Sequence, residues 1–171
     1  MTDRRRLLVM RHAKAEPFAS TDHSRRLTDR GRASARDAGA YLREHGLTPD
    51  HALVSSATRT RETWAGMTEE LDESGTLVFY DDAWFTGSVD VVVEALRALP
   101  DDALTVAFVG HNPTAAYLCH FLDDGEGDPV AVSGLLRGFP PAALAVLELQ
   151  VPWSGLAAET GRLIGYHVGS G

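Results

Sequence analysis

"LLVMRHAKAE", residues 7–16, runs four apolar residues, Leu7 to Met10, straight into Arg11 and His12, with Lys14 two positions further on. A run that is apolar at every position suits a strand covered on both faces, as strands are in a largely parallel sheet. The carboxyl end of such a strand is where open α/β sheets hold their ligands. Here that end carries a guanidinium and an imidazole.

Working outward, "LTVAFVG" (residues 104–110) is a second strand of the same kind, followed at once by His111, Asn112 and Pro113. Proline tolerates the first helical turn, so "NPTAAYLCHFL" predicts a helix beginning just after His111. Between these strands, Thr28 caps a helix that runs through about His45 and is closed by Gly46, and "ALVS" (Ala52 to Ser55) is a strand. A helix opens near Thr58 in "SSATRTRETWAGMTEEL", "TLVFY" is a third strand, and "SVDVVVEALRAL" is a helix with Ser88 as its cap and Pro100 at its end. "ALAVLEL" and "RLIGYHV" are late strands, while the stretch from Asp123 to Pro141 predicts the longest irregular loop. The alternation predicts one α/β domain over residues 1–171, a three-layer α/β/α sandwich with a mostly parallel central sheet.

Composition agrees. A chain of 171 residues, 44% hydrophobic and 23% charged, is long enough for one domain with a sizeable core. Its formal net charge of -8 repels nucleic acid and anionic membrane, so any cationic pocket is local. Cys119 is the only cysteine, which excludes an internal disulfide and a multi-cysteine zinc site and suits a reducing cytoplasm. The apolar run in "MTDRRRLLVM" is too short for a signal peptide. No segment approaches the ~18 apolar residues of a membrane span, so the expectation is a soluble, cytoplasmic protein without membrane or nucleic-acid partners.

Arg11 and His12, Arg59, and His111 share one setting: a strand ends, and a cationic or proton-carrying side chain appears before or within the next helix. Two guanidiniums and two imidazoles repel one another in a partly dry cleft unless an anion sits among them. A phosphoryl group meets that requirement, because arginine forks bind its oxygens and the helix N-termini after Thr58 and Asn112 add partial positive charge.

"RHA" after the first strand, "SSATRTRET" and "VGHNP" resemble the motifs of the histidine phosphatase superfamily. "RHAKA", "DHSRRLTDRGR" and "FPPAALAVLEL" resemble, more narrowly, its SixA-type phosphohistidine phosphatase branch, and the likeness runs in order from Leu7 to about Leu149. The resemblance implies catalysis through a phosphorylated histidine. His12 would be the nucleophile, Arg11 and Arg59 would hold the phosphoryl oxygens, and His111 would complete the pocket. Arg25 matches a further phosphate-contacting arginine. It implies no metal and no organic cofactor, and as substrate a phosphorylated protein or a small phosphorylated molecule.

The chain departs from the pattern in three places. Ala13 stands where much of the superfamily has glycine, Arg26 where proline is usual, and Phe85 follows Trp84 where tyrosine is expected. Many members also carry an acidic proton donor in an insertion between the second and third motifs. That region, Trp64 to Gly110, is short here, and Asp81 and Asp82 are the nearest candidates by position.

Plainer roles compete for these residues. Arg59 can pair with Glu62 at i, i+3, His111 can be a helix cap, and Lys14 can be simple surface. His23, His45, His51, His120 and His167 share no spacing that suggests a metal site, and Cys119 reads as a small core residue. The leading function is a phosphatase acting on phosphohistidine or a related group. The alternatives are a general small phosphomonoesterase or phosphoglycerate-mutase-like phosphotransferase, and a non-catalytic phosphate-binding module, for which His12 would be superfluous. A nucleotide-binding domain lacks its GxGxxG or GxxxxGK[ST] loop.

Overall fold

Leu7, Leu8, Val9 and Met10 are completely buried in the computed structural model, which describes residues 4–171. They lie in β1 (Arg6–Arg11), one of six strands with β2 (His51–Ser55), β3 (Leu77–Asp81), β4 (Thr105–Gly110), β5 (Ala143–Leu149) and β6 (Gly161–Val168). The strands form one sheet in the order β3-β2-β4-β1-β5-β6. β1 to β4 run parallel to one another, β5 lies antiparallel beside β1, and β6 lies antiparallel beside β5 at the edge.

The helices are α1 (Asp29–Glu44), α2 (Thr58–Thr68), the single turn α3 (Ala83–Thr86), α4 (Val89–Arg97), α5 (Thr114–Leu122) and α6 (Pro129–Arg137). Successive strand residues face opposite ways, and the wholly apolar runs therefore feed two cores. Leu8, Met10, Ala107 and Val109 pack with Ala35, Ala38 and Leu42 of α1 and Trp64 and Met67 of α2. Leu7, Val9 and Phe108 pack on the other face with residues of α4, α5 and α6. This is the expected layered α/β architecture with a mostly parallel sheet. Among the described residues no helix is long and apolar enough to cross a membrane.

Local signals account for the helix ends. Thr28 Oγ1 accepts the Gly31 N–H at 2.9 Å and starts α1, and Gly46 adopts φ 64 just beyond its end. α1 and α2 approach closely because their contact is built from small residues: a Cβ on Gly39 would lie 2.1 Å from the Met67 carbonyl oxygen.

Three expectations need correction. The stretch from Asp123 to Pro141 is not all loop, since it contains α6. The Asp128 carboxylate caps this helix by accepting the Ala131 N–H at 2.9 Å, Pro129 opens it, and Ala131 and Leu135 turn one face into the core. Gly134, inside the helix, disguised it. That glycine is needed because a Cβ there would meet the Tyr166 ring at 2.4 Å. Ser88 does occupy the cap position of α4, yet its side chain makes no capping hydrogen bond. Finally, α5 begins at Thr114, after Pro113, rather than directly after His111.

Candidate active site

β2, β4 and β1 are neighbours and run parallel, so their carboxyl ends lie side by side. Arg11 and His12 leave β1, His111 leaves β4, and Ser55 ends β2 four residues before Arg59 in the first turn of α2. The His12 N–H donates to the Gly110 carbonyl at 3.0 Å, continuing the β1–β4 ladder into the turn. This brings the His12 and His111 rings together, with centroids 5.3 Å apart and planes inclined at 58°.

His12 Nδ1 is 2.7 Å from the Ala13 carbonyl oxygen. A carbonyl only accepts, so Nδ1 carries the hydrogen and Nε2 keeps its lone pair. Burial pushes the His12 pKa down to about 4, and the charges of Arg59, Arg11 and Arg25 push in the same direction. The ring is therefore neutral at physiological pH. Its loop is fixed to α2, because the Ala13 N–H donates to Thr63 Oγ1 at 3.0 Å and Thr63 donates to the Arg59 carbonyl at 2.7 Å.

Each arginine is held from one side. Arg11 Nη1 donates to the Phe139 carbonyl at 3.1 Å, and the same oxygen accepts Asn112 Nδ2 at 2.8 Å. The following turn is tied down as well: Ala142, at φ 66, donates its N–H to the His12 carbonyl at 3.1 Å. A left-handed alanine costs about 1–2 kcal/mol, which this anchoring hydrogen bond helps to offset. Arg59, buried, donates Nη1 to the Asp22 carbonyl at 2.8 Å and Nη2 to the Asp22 carboxylate at 3.2 Å. Arg25 donates Nε to the same carboxylate at 2.9 Å and Nη1 to the Glu16 carbonyl at 2.9 Å. Hydrogen bonding from Arg25 holds the Asp22 carboxyl below the usual carboxylate range. The alternative pairing of Arg59 with Glu62 does not form, since Glu62 takes Arg26 Nε at 2.9 Å and the Leu27 N–H at 2.7 Å.

Arg11 Nε, Arg59 Nε and His111 Nδ1 are buried polar atoms with no hydrogen-bond partner among the described residues. Burial also pushes His111 down to about 3, with Arg59, His12 and Arg11 adding to the depression. His111 Nε2 lies 2.7 Å from Ser55 Oγ. The Phe85 ring stands edge-on to His111 at 5.4 Å and faces the Arg59 guanidinium at 5.6 Å. Two neutral imidazoles thus lie among cations at the carboxyl ends of β1, β2 and β4, with three nitrogens that have no partner among the described residues.

The candidate acids have other partners. Asp81 accepts the Ala83 N–H at 2.8 Å, and Asp82 accepts the Ser56 hydroxyl. His23 Nε2 is 3.0 Å from Ser56 Oγ and 3.8 Å from Asp82, and its ring stands edge-on to Phe85 at 5.0 Å. Sequence reasoning missed Asp22, Ser55 and the Phe139 carbonyl. The i, i+3 spacing of Asp22 and Arg25 was a readable signal, whereas a backbone carbonyl contributed from 128 residues away leaves none. Among the described residues no set of His, Cys, Asp and Glu side chains gathers as metal ligands.

The chain matches the Histidine phosphatase superfamily (branch 1) over residues 7–82. An uncharacterized Mycobacterium tuberculosis protein is 32% identical over 161 residues, covering 93% of this chain and 99% of that one. A phosphohistidine phosphatase SixA homolog of Haemophilus influenzae is 27% identical over 161 residues, covering 90% and 91%. The SixA structure from Nakamurella multipartitia superposes with a TM-score of 0.84 at 34% identity, covering 97% of this chain and 96% of that one. The chain belongs to the histidine phosphatase superfamily, within its SixA-type branch.

Proposed function

We propose that this chain is a cytoplasmic phosphatase that hydrolyses phosphohistidine, with the phosphoryl group carried transiently on His12. The observation that carries the reading is the pairing of a neutral His12, whose Nε2 lone pair is free, with the unpartnered Nε edges of Arg11 and Arg59. The relatives named for SixA support the choice of substrate class.

In the first step the substrate phosphohistidine carries a solvent-derived proton on its other ring nitrogen, His12 Nε2 attacks phosphorus, the P–N bond to the substrate breaks, and the imidazole departs neutral with the electron pair of that bond. In the second, water attacks the same phosphorus, the N–P electron pair returns to His12 Nε2, one water proton passes to solvent, and inorganic phosphate leaves. Arg11, fixed through Nη1 to the Phe139 carbonyl, and Arg59, fixed through Nη1 and Nη2 to Asp22, supply positive charge for the equatorial oxygens, where charge spreads in both transition states. Arg25 adds positive potential, and its charge is felt at His12.

Asp81 and Asp82 each accept a hydrogen bond through Oδ1, from the Ala83 N–H and the Ser56 hydroxyl. The hydrogen bonds of the described residues join neither to His12 or His111, so we assign no proton donor to an alkoxide leaving group. The experiment is kcat/KM across phosphate esters of rising leaving-group pKa, beside a phosphohistidine peptide. A steep decline with leaving-group pKa and efficient use of the peptide support the proposal. A flat profile with rapid alkyl phosphate hydrolysis replaces it with a general phosphomonoesterase.

A further inference from the structure

We propose that Ser55 is a positioning residue whose hydroxyl holds His111 in the tautomer with its hydrogen on Nδ1, so that an uncharged ring offers an N–H to the phosphoryl oxygens. The purpose assigned to that N–H rests on the phosphatase reading above, whereas the tautomer itself does not.

Ser55 is the last residue of β2 and is completely buried. β2 pairs with β4 in the register Val54↔Val109, so the residue ending one strand meets the residue leaving the other. The Ser55 backbone is held by Thr60, whose hydroxyl lies 2.7 Å from the Ser55 carbonyl. Its Oγ has two neighbours: the Ala57 N–H at 3.4 Å and His111 Nε2 at 2.7 Å. An amide N–H only donates, so it uses a lone pair of Oγ and leaves the hydroxyl hydrogen to be placed.

With a hydrogen on Nε2, the hydroxyl hydrogen would be left in a buried space with no acceptor. With a lone pair on Nε2, the hydroxyl donates to it and both groups are satisfied. A neutral imidazole then carries its hydrogen on Nδ1, the buried atom without a partner. The opposite tautomer would aim a lone pair at the anion's oxygens.

His12 is fixed the other way round, since its Nδ1–H donates to the Ala13 carbonyl. The two rings, 5.3 Å apart, thus present unlike atoms, a lone pair from His12 and an N–H from His111. Because burial keeps His111 uncharged, the hydroxyl and not protonation makes it a donor.

The test is nitrogen-15 NMR of the full chain labelled at histidine, with proton-coupled ring correlations at neutral pH. Wild-type His111 is expected to show a protonated Nδ1 and an unprotonated Nε2, and a hydrogen on Nε2 ends the proposal without any variant. Ser55→Ala is expected to lose this preference and to lower kcat/KM for an aryl phosphate about 10- to 100-fold. Ser55→Thr, which keeps the hydroxyl, is expected to restore the tautomer and most of the rate. An Ala variant that keeps the wild-type tautomer refutes the role even if it is less stable. Inactivity on phosphohistidine would count against the substrate reading and leave the NMR result standing.

Discussion

Asp22 grips Arg59 at two points, with its backbone carbonyl 2.8 Å from Nη1 and its carboxylate 3.2 Å from Nη2. The same carboxylate takes Arg25 Nε, so one acidic residue braces two cations of the pocket wall. Asp22→Ala leaves Arg59 its carbonyl contact and deprives Arg25 of its one side-chain partner among the described residues. We expect kcat/KM to fall about tenfold, with Arg25→Ala giving a similar loss, against about 10²–10³ for Arg59→Ala. Since Asp22 and Arg25 act as a unit, the double variant should be little worse than either single one. Additive losses across the four proteins would show that the brace is not shared.

His12→Ala should abolish turnover while phosphate or tungstate still binds, because the arginines supply most of the anion attraction. Rapid quench of the wild-type enzyme with a phosphorylated substrate should trap acid-labile phosphate on His12. Wild-type rates in the Ala variant would overturn the covalent mechanism.

Acid should destabilise the fold through the same two rings. The folded state keeps His12 and His111 neutral, with pKa values of about 4 and about 3 against 6.5 for the free side chain. Below 6.5 the unfolded chain therefore binds protons that the folded chain refuses. The stability present above that pH is lost progressively down to the folded pKa values, at up to about 1.4 kcal/mol per pH unit for each ring. Thermal unfolding followed from pH 7 to 4.5 should show this slope, and His111→Gln should flatten it. An equal slope in the Gln variant would place the pH sensitivity elsewhere.

Gly39→Ala is expected to destabilise, although alanine in a helix normally gains about 1 kcal/mol over glycine. The new Cβ would lie 2.1 Å from the Met67 carbonyl oxygen, a backbone atom that moves only with α2. Overpacking of about 1–3 kcal/mol outweighs the propensity gain. As α2 carries Arg59, phosphate affinity should fall along with the urea midpoint, and a variant as stable as wild type would show that the helices separate freely.

Much of the fold could be read because the middle of β1, Leu7 to Met10, and of β4, Val106 to Val109, is apolar at every position and runs on into Arg11 and His12 or into His111. Periodicity and motif order then placed Arg11, His12, Arg59 and His111 at one edge of the sheet. α6 escaped because Gly134, required by the Tyr166 ring, breaks its pattern. The partners of the arginines escaped for another reason. Phe139 and Asp22 hold Arg11 and Arg59 partly through backbone carbonyls, and every residue type has one. Ser55 was visible as a letter of a motif, but its bond to His111 depends on the neighbouring register of β2 and β4.

The order β3-β2-β4-β1-β5-β6 also governs how the chain assembles during synthesis. β1 leaves the ribosome before the strands it pairs with, since Leu7 pairs with Val106 on one side and Leu147 on the other. Until those segments emerge, β1 has two open edges and its apolar side chains have no sheet to join, and β2 also lacks its inner neighbour. Long-range pairing of this kind is slow and leaves sticky surface exposed. His12 is thus translated well before the strands that position it. A nascent chain halted before β4 would hold His12, Arg11 and Arg59 without the strand that brings His111 beside them, and would be a client for chaperones.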